Sequence, residues 1–176
     1  MDRLETLRAW LRRAERVAIG FSGGVDSTFL LAVALETLGP EAVLPVTFAF
    51  RAVPSRELAA ARTFLESTSA RPLWLEAEAA DIPGFDTNPP DRCYLCKRHL
   101  FTRVVQESRR AGFLHVVDGT NADDLLDDRP GLRALRELGV ESPLADLGFT
   151  KAEIRETSHR LGIIGGERPA LACLAT

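Results

Sequence analysis

The sequence has few cysteines, histidines, tyrosines and methionines, and no long uninterrupted apolar run. Only three cysteines occur, Cys93, Cys96 and Cys173. So few thiols, and an odd number of them, exclude a disulfide framework and leave metal binding or thiol chemistry as their use. The longest apolar runs, such as Val43–Phe50, are far too short to span a bilayer. Met1–Glu15 is charged and amphipathic, unlike a secretory signal. The expectation is a cytoplasmic protein with no membrane partner. Positive charge is not in excess either: the formal net charge is −3, which argues against a broad electrostatic footprint for nucleic acid. Internal repeats and low-complexity segments are absent.

What is present, 176 residues that are 45% hydrophobic and 27% charged, suits one compact soluble domain, or one domain plus a fragment. Leu4, Leu7, Leu11 and Ala14 fall at helical spacing and predict a lead-in helix over residues 2–15. Val17–Phe21 reads as a buried strand. An apolar helix-forming stretch follows over Ser27–Leu38, stopped by Gly39-Pro40. Further strands are expected at Val43–Phe50, Leu73–Leu75 and Leu114–Asp118, and further helices over residues 55–67 and 92–110. A loop with three prolines occupies residues 77–91. Thr150 and Glu153 form a capping box for a helix ending at Gly162. Strands alternating with helices, without hairpin signals, predict an α/β fold: a parallel sheet with helices on both faces. Ligands in such sheets sit at the carboxyl ends of the strands, near the switch in strand order.

One strand-to-helix junction carries a chemical signal. Gly20-Phe21-Ser22-Gly23-Gly24-Val25-Asp26-Ser27-Thr28 leaves a strand and enters a helix. Its glycines allow a tight turn and close backbone approach. The free amides and positive dipole end of the following helix favour an anion, and Ser22, Ser27 and Thr28 add hydroxyl donors. Asp26 fits beside an anion when magnesium bridges the two. The plainer alternative is a polar turn that only caps its helix. Gly-Lys-Ser/Thr is absent, so the loop is not of the Walker type, and the Gly-x-Gly-x-x-Gly spacing of a dinucleotide site is absent as well.

Ser22-Gly23-Gly24-Val25-Asp26-Ser27 resembles the pyrophosphate loop of the N-type ATP pyrophosphatases, the PP-loop superfamily with its Rossmann-like, adenine nucleotide alpha hydrolase-like fold. Those enzymes split ATP into AMP and pyrophosphate to activate a carbonyl or carboxylate oxygen. Three further segments narrow the resemblance: Asn88–Lys97, which contains Cys93 and Cys96; Asp118–Asp124 together with Arg129-Pro130-Gly131; and Pro169–Ala175, which contains Cys173. In this order they resemble the LarE family, ATP-dependent sulfur transferases of nickel-pincer cofactor synthesis, the cofactor of lactate racemase. The resemblance implies adenylylation of a carboxylate of a pyridinium biscarboxylic acid mononucleotide, followed by displacement of AMP by a protein-held sulfur. It also implies a PP-loop domain over residues 1–176, ending before a C-terminal substrate-binding domain. Self-association into a homo-oligomer and partnership with other enzymes of the nickel-pincer pathway are implied too.

Carried over residue by residue, the resemblance assigns ATP binding to Ser22, Gly23, Gly24, Asp26, Ser27 and Thr28. Gly119 approaches AMP, and the end of the second strand, at Thr47 and Phe48, faces adenine. Asp123 and Asp124 are candidate magnesium ligands, with a helix-capping acidic loop as the alternative. Cys173 matches the sulfur donor and, with Asp26, makes up the catalytic assignment. A cysteine between alanines and leucines is otherwise a small core residue. Cys93 and Cys96 alone leave a redox pair, a zinc half-site or a cluster half-site open. With Cys173 they offer three thiolates, which suit an iron–sulfur cluster of the 4Fe-4S type with one open iron. The alternatives are sacrificial loss of the Cys173 sulfur and a zinc site completed by His99. Arg92, Lys97, Arg98 and Arg129 are candidates for substrate phosphate or carboxylate, or solvated surface charge. Two other functions stay in view: a PP-loop tRNA thiolase and a non-catalytic nucleotide-binding module.

Overall fold

The computed structural model describes residues 2–50, 55–84, 89–126 and 130–163. Cys173, Arg129 and Asn88 lie outside them. Helix α1 (Arg3–Ala14) is started by Asp2, whose carboxylate accepts the Leu4 amide, and it buries Leu4, Leu7 and Leu11. Strand β1 (Val17–Gly20) follows, then α2 (Val25–Leu38), β2 (Val43–Phe50), α3 (Ser55–Glu66) and β3 (Leu73–Ala77). The long α4 (Arg92–Arg110) leads into β4 (His115–Val117). Short α5 (Pro130–Glu137) and α6 (Pro143–Asp146) precede α7 (Lys151–Arg160). The expected parallel α/β architecture is present, with element ends within two residues of the sequence reading for most elements. Helices α5 and α6 were not anticipated, because four or eight residues are too few to set up a legible helical period.

The four strands are parallel and ordered β3-β2-β1-β4. Alternation along each strand divides the core into two layers. Val17 and Ile19 of β1, Val43 of β2 and Val117 of β4 face one side, where they meet α1, α2 and α3 together with Phe149 and Ile154. Ala18, Val46, Leu75 and Val116 face the other, against Val104 and Val105 of α4 and Leu135 of α5. The chain steps outward from β1 to β3 over the first face and returns beside β1 by way of α4 on the second. Right-handed crossovers require that change of face when the direction of travel reverses. The reversal leaves a crevice at the carboxyl ends of β1 and β4, the place where ligands bind in such sheets. Beyond β4, Glu141 extends the sheet by one bridge: its amide donates to Val116 and its carbonyl accepts from the Asp118 amide. Among the described residues, no helix is long and apolar enough to cross a membrane.

Candidate active site

The turn from β1 into α2 is shaped by where its glycines sit. Gly23 has φ +81°, and a Cβ there would lie 2.7 Å from the Ala61 Cβ of α3. A left-handed backbone pressed against a helix leaves room only for glycine. Gly24 is the extended N-cap residue of α2 and offers no side-chain cap. The loop is instead braced by bonds among its own residues. Ser22 Oγ accepts the Gly24 amide at 3.2 Å and lies 3.1 Å from Ser27 Oγ, which donates to the Gly24 carbonyl at 3.2 Å. The loop is therefore held in place by its own hydroxyls, with the first amides of α2 lacking helical partners. On the far side, Gly119 follows β4 so closely that a Cβ would fall 2.8 Å from the Ser27 nitrogen. Thr47 of β2 donates its hydroxyl to the Phe21 carbonyl and ties the loop to the second strand.

A cavity of about 540 Å³ opens over this junction, within the usual range for small-molecule sites. Ser22, Gly24, Asp26, Ser27 and Gly119 line one side, with Thr47 and Phe48 at the end of β2. Cys93, Cys96 and Lys97 of α4 line another, joined by Asp124 and by Pro130 and Gly131 at the start of α5. Val46, Leu58, Phe101 and Val104 give it apolar walls. Most of the assigned residues thus converge on one space although they come from segments up to about a hundred residues apart. Gly23, Thr28 and Asp123 do not line it. Gly23 turns the chain behind the loop, and Thr28 is buried with its amide bonded to the Gly24 carbonyl. Asp123 instead accepts the Lys151 amide at the start of α7 at 2.8 Å. Arg92, Arg98 and His99 are also off the lining. Arg98 bonds the Tyr94 hydroxyl, which itself donates to Glu137, locking α4 to α5.

Two networks stabilise the site from behind, and the sequence motifs gave neither its function. Asp118, buried at the end of β4, accepts from Ser142 at 2.7 Å and from the Thr120 hydroxyl at 2.6 Å. Lys97 Nζ lies 3.9 Å from the same carboxylate and 4.9 Å from the Phe101 ring centroid. Lys97 is the sole cation on the cavity lining among the described residues. Asp26 Oδ2 accepts from Asn121 Nδ2 at 3.1 Å and faces Lys151 Nζ at 3.8 Å, while Oδ1 is buried with no hydrogen-bond partner. Burial pushes the Asp26 carboxyl above the usual carboxylate range, opposed by Lys151 and by the Asn121 bond. Lys151 lies outside every segment that carried the resemblance. Only its place at the capped start of a helix hinted at a fixed position.

An unsatisfied buried acceptor on a residue lining the cavity fits a cation such as magnesium. Asp124 shares that lining, although its carboxylate also accepts the Asn121 amide at 3.1 Å. Cys93 and Cys96 lie three residues apart, on one side of the first turns of α4, and both reach the cavity. That fits two of the three thiolates of a cluster; the third, Cys173, lies outside the described residues. Among the described residues, no group of three or more His, Cys, Asp or Glu side chains is gathered to hold a metal ion.

The fold has solved counterparts. The structure of NMN synthetase from Francisella tularensis superposes with a TM-score of 0.76 at 15% identity, covering 96% of this chain and 74% of that one. This shows a Rossmann-like fold of the kind found in the PP-loop synthetases. No family model matches the sequence. An uncharacterized protein of Synechocystis sp. is 35% identical over 99% of this chain and 65% of its own length. Pyridinium-3,5-bisthiocarboxylic acid mononucleotide synthase of Lactiplantibacillus plantarum is 31% identical over 94% of this chain and 60% of its own length. The resemblance to the LarE family is thus accompanied by a relative of that name and by a fold shared with NMN and NAD synthetases. It spans somewhat less than two thirds of the length of these relatives.

Proposed function

We propose that this chain is the activating domain of an ATP-dependent, AMP-forming sulfur transferase whose substrate is a pyridinium biscarboxylic acid mononucleotide. One observation carries the reading: the preformed loop Ser22–Ser27 and the thiols Cys93 and Cys96 line the same cavity. Activation and sulfur delivery then need no migration of the acyl intermediate between separate sites. A carboxylate oxygen of the substrate attacks the α-phosphorus of ATP, pyrophosphate leaves, and an acyl adenylate forms. A sulfur nucleophile then adds to the acyl carbon, the carbon–oxygen bond to AMP breaks, and a thiocarboxylate remains. Carboxylate resists such attack until its oxygen becomes a good leaving group, which explains why ATP is needed.

In this reading Ser22, Gly24, Ser27 and the first amides of α2 receive the departing pyrophosphate, and Gly119 and the end of β2 hold the adenosine. Lys97 is positioned to pair with an anionic group of the mononucleotide. Asp26 with Asp124 would hold a magnesium ion, which would supply positive charge against the phosphates. Cys93, Cys96 and Cys173 would hold an iron–sulfur cluster that would carry a transferable sulfide; where no cluster is bound, the Cys173 thiolate would attack the acyl carbon with AMP leaving, and loss of its α-proton would break the Cβ–Sγ bond, releasing the thiocarboxylate and leaving dehydroalanine. The partners proposed are the mononucleotide, other enzymes of the nickel-pincer pathway and further copies of this chain, in the cytoplasm.

The test is anaerobic purification with iron and sulfide analysis, pyrophosphate release with and without the mononucleotide, and mass spectrometry of Cys173 after turnover. Pyrophosphate release that depends on the mononucleotide, with iron bound and Cys173 intact, supports the reading. Absence of iron together with loss of the elements of hydrogen sulfide from Cys173 replaces the cluster by sacrificial donation. Pyrophosphate release indifferent to any carboxylate, or salt-sensitive tRNA binding, overturns the proposed substrate.

A further inference from the structure

The loop after β4 contains a polar side chain with no assigned task and no exposure at all. Asn121 is 0% exposed, and burial of an amide is tolerated only when its bonds are made. Its Oδ1 accepts the amides of Asp123 at 2.9 Å and Asp124 at 3.1 Å, which folds the loop back on itself. Its Nδ2 reaches across to the neighbouring element and donates to Asp26 Oδ2 at 3.1 Å. The bond spans ninety-five positions in sequence and joins the β4 loop to the first turn of α2. From Asn121 the connection continues: Asp123, fixed by the amide it gives to Asn121, accepts the first amide of α7.

We infer that Asn121 is a positioning residue for the pyrophosphate loop: it fixes one carboxylate oxygen of Asp26, so that the loop after β4 and the start of α2 meet the nucleotide as one rigid surface. The inference rests on the reading of Ser22–Thr28 as a nucleotide loop and adds a member to that site. Its physical basis is that a carboxylate free to rotate must be ordered each time nucleotide binds, whereas one already bonded meets the ligand at no such cost. The contact of Gly119 with Ser27 brings the same two segments together through the backbone. Asn121 supplies the side-chain counterpart of that contact.

The informative variant is Asn121→Asp. It keeps the oxygen that accepts the two loop amides and removes only the donor to Asp26, placing two carboxylates face to face. Asn121→Ser, which removes the bond to Asp26 together with the acceptor of the two loop amides and adds no charge, is the second variant. Affinity for ATP with magnesium is measured by calorimetry on the folded protein, alongside melting temperature. Expected is a loss of about tenfold or more in ATP affinity for both variants, the scale of a hydrogen bond to a charged group. A purely structural role would lower the melting temperature and leave the affinity of the folded fraction within about twofold of the parent; that result overturns the inference while leaving the nucleotide reading intact. Failure of the parent protein to bind ATP overturns both.

Discussion

Asp26 illustrates how burial of a single carboxylate costs stability. Its carboxyl sits above the ordinary carboxylate range because burial outweighs Lys151 and Asn121. For a group whose folded value is raised, the unfolded chain ionises first as pH rises through the interval from 3.8 to the folded value. The folded state therefore loses stability across that interval, and the loss persists at neutral pH. Asp26→Asn is expected to keep or raise the melting temperature at pH 7 while lowering ATP-dependent pyrophosphate release about a hundredfold or more. A thermal melt and a pyrophosphate assay on the same sample check both signs. Gly119→Ala is the steric counterpart. A methyl 2.8 Å from the Ser27 nitrogen forces the β4 loop off α2, and an overpacking cost of about 1–3 kcal/mol is expected in chemical denaturation. Both glycine positions could be read from the sequence as points of close approach, but neither neighbour could. Ala61 and Ser27 meet these glycines only because separate crossovers fold back over the same strand end.

At the scale of the element, α7 shows how a surface helix can bear on a distant site. Thr150 Oγ1 accepts the Glu153 amide while the Glu153 carboxylate accepts the Thr150 amide, the capping box foreseen from those two residues. The reciprocal bonds hold the Glu153 carboxyl below its ordinary value, the Thr150 bonds being the main cause. A lowered folded value gives stability that is present above 4.5 and lost as pH falls through the folded value. Thr150→Ala is expected to destabilise the fold by about 1 kcal/mol, with the deficit shrinking in acid; urea denaturation at two pH values checks it. The same cap fixes Lys151, the first residue of α7, and so its distance from Asp26. Sequence supplied the cap but not the reach of Lys151. A side chain's partner across ninety-five or more positions depends on how whole elements dock, and no local pattern encodes that. Helix α5 makes the same point: it closes the cavity at Pro130 and Gly131, yet its eight residues carry too short a pattern to read.

For the whole molecule, the consequence of the fold is that one cavity has two chemically distinct sides. The β1–α2 side presents backbone and hydroxyls; the α4 side presents thiols and a lysine. Damage to one side should therefore spare the other. Cys93→Ser and Cys96→Ser are expected to abolish sulfur transfer and lower iron content while ATP affinity stays within about twofold of the parent. Calorimetry with ATP and iron analysis on anaerobic protein read the two properties separately.

Sequence alone determined the alternation of strands and helices, the glycine turn at Ser22–Thr28 and the family resemblance. These depend on local periodicity, on backbone freedom and on residue identity in short segments, all of which are written along the chain. Only the tertiary structure decided which of the recognised residues share a space. It brought Cys93 and Cys96 to the cavity beside Ser22, left Gly23 and Thr28 off the cavity lining, and bonded Asp123 to the Lys151 amide. It also joined Asp26 to Asn121 and Lys151. The reason is geometric: the reversal of direction at β1 and β4 gathers the ends of three strands and the start of α4 around one crevice. That convergence exists only once the crossovers have chosen their faces.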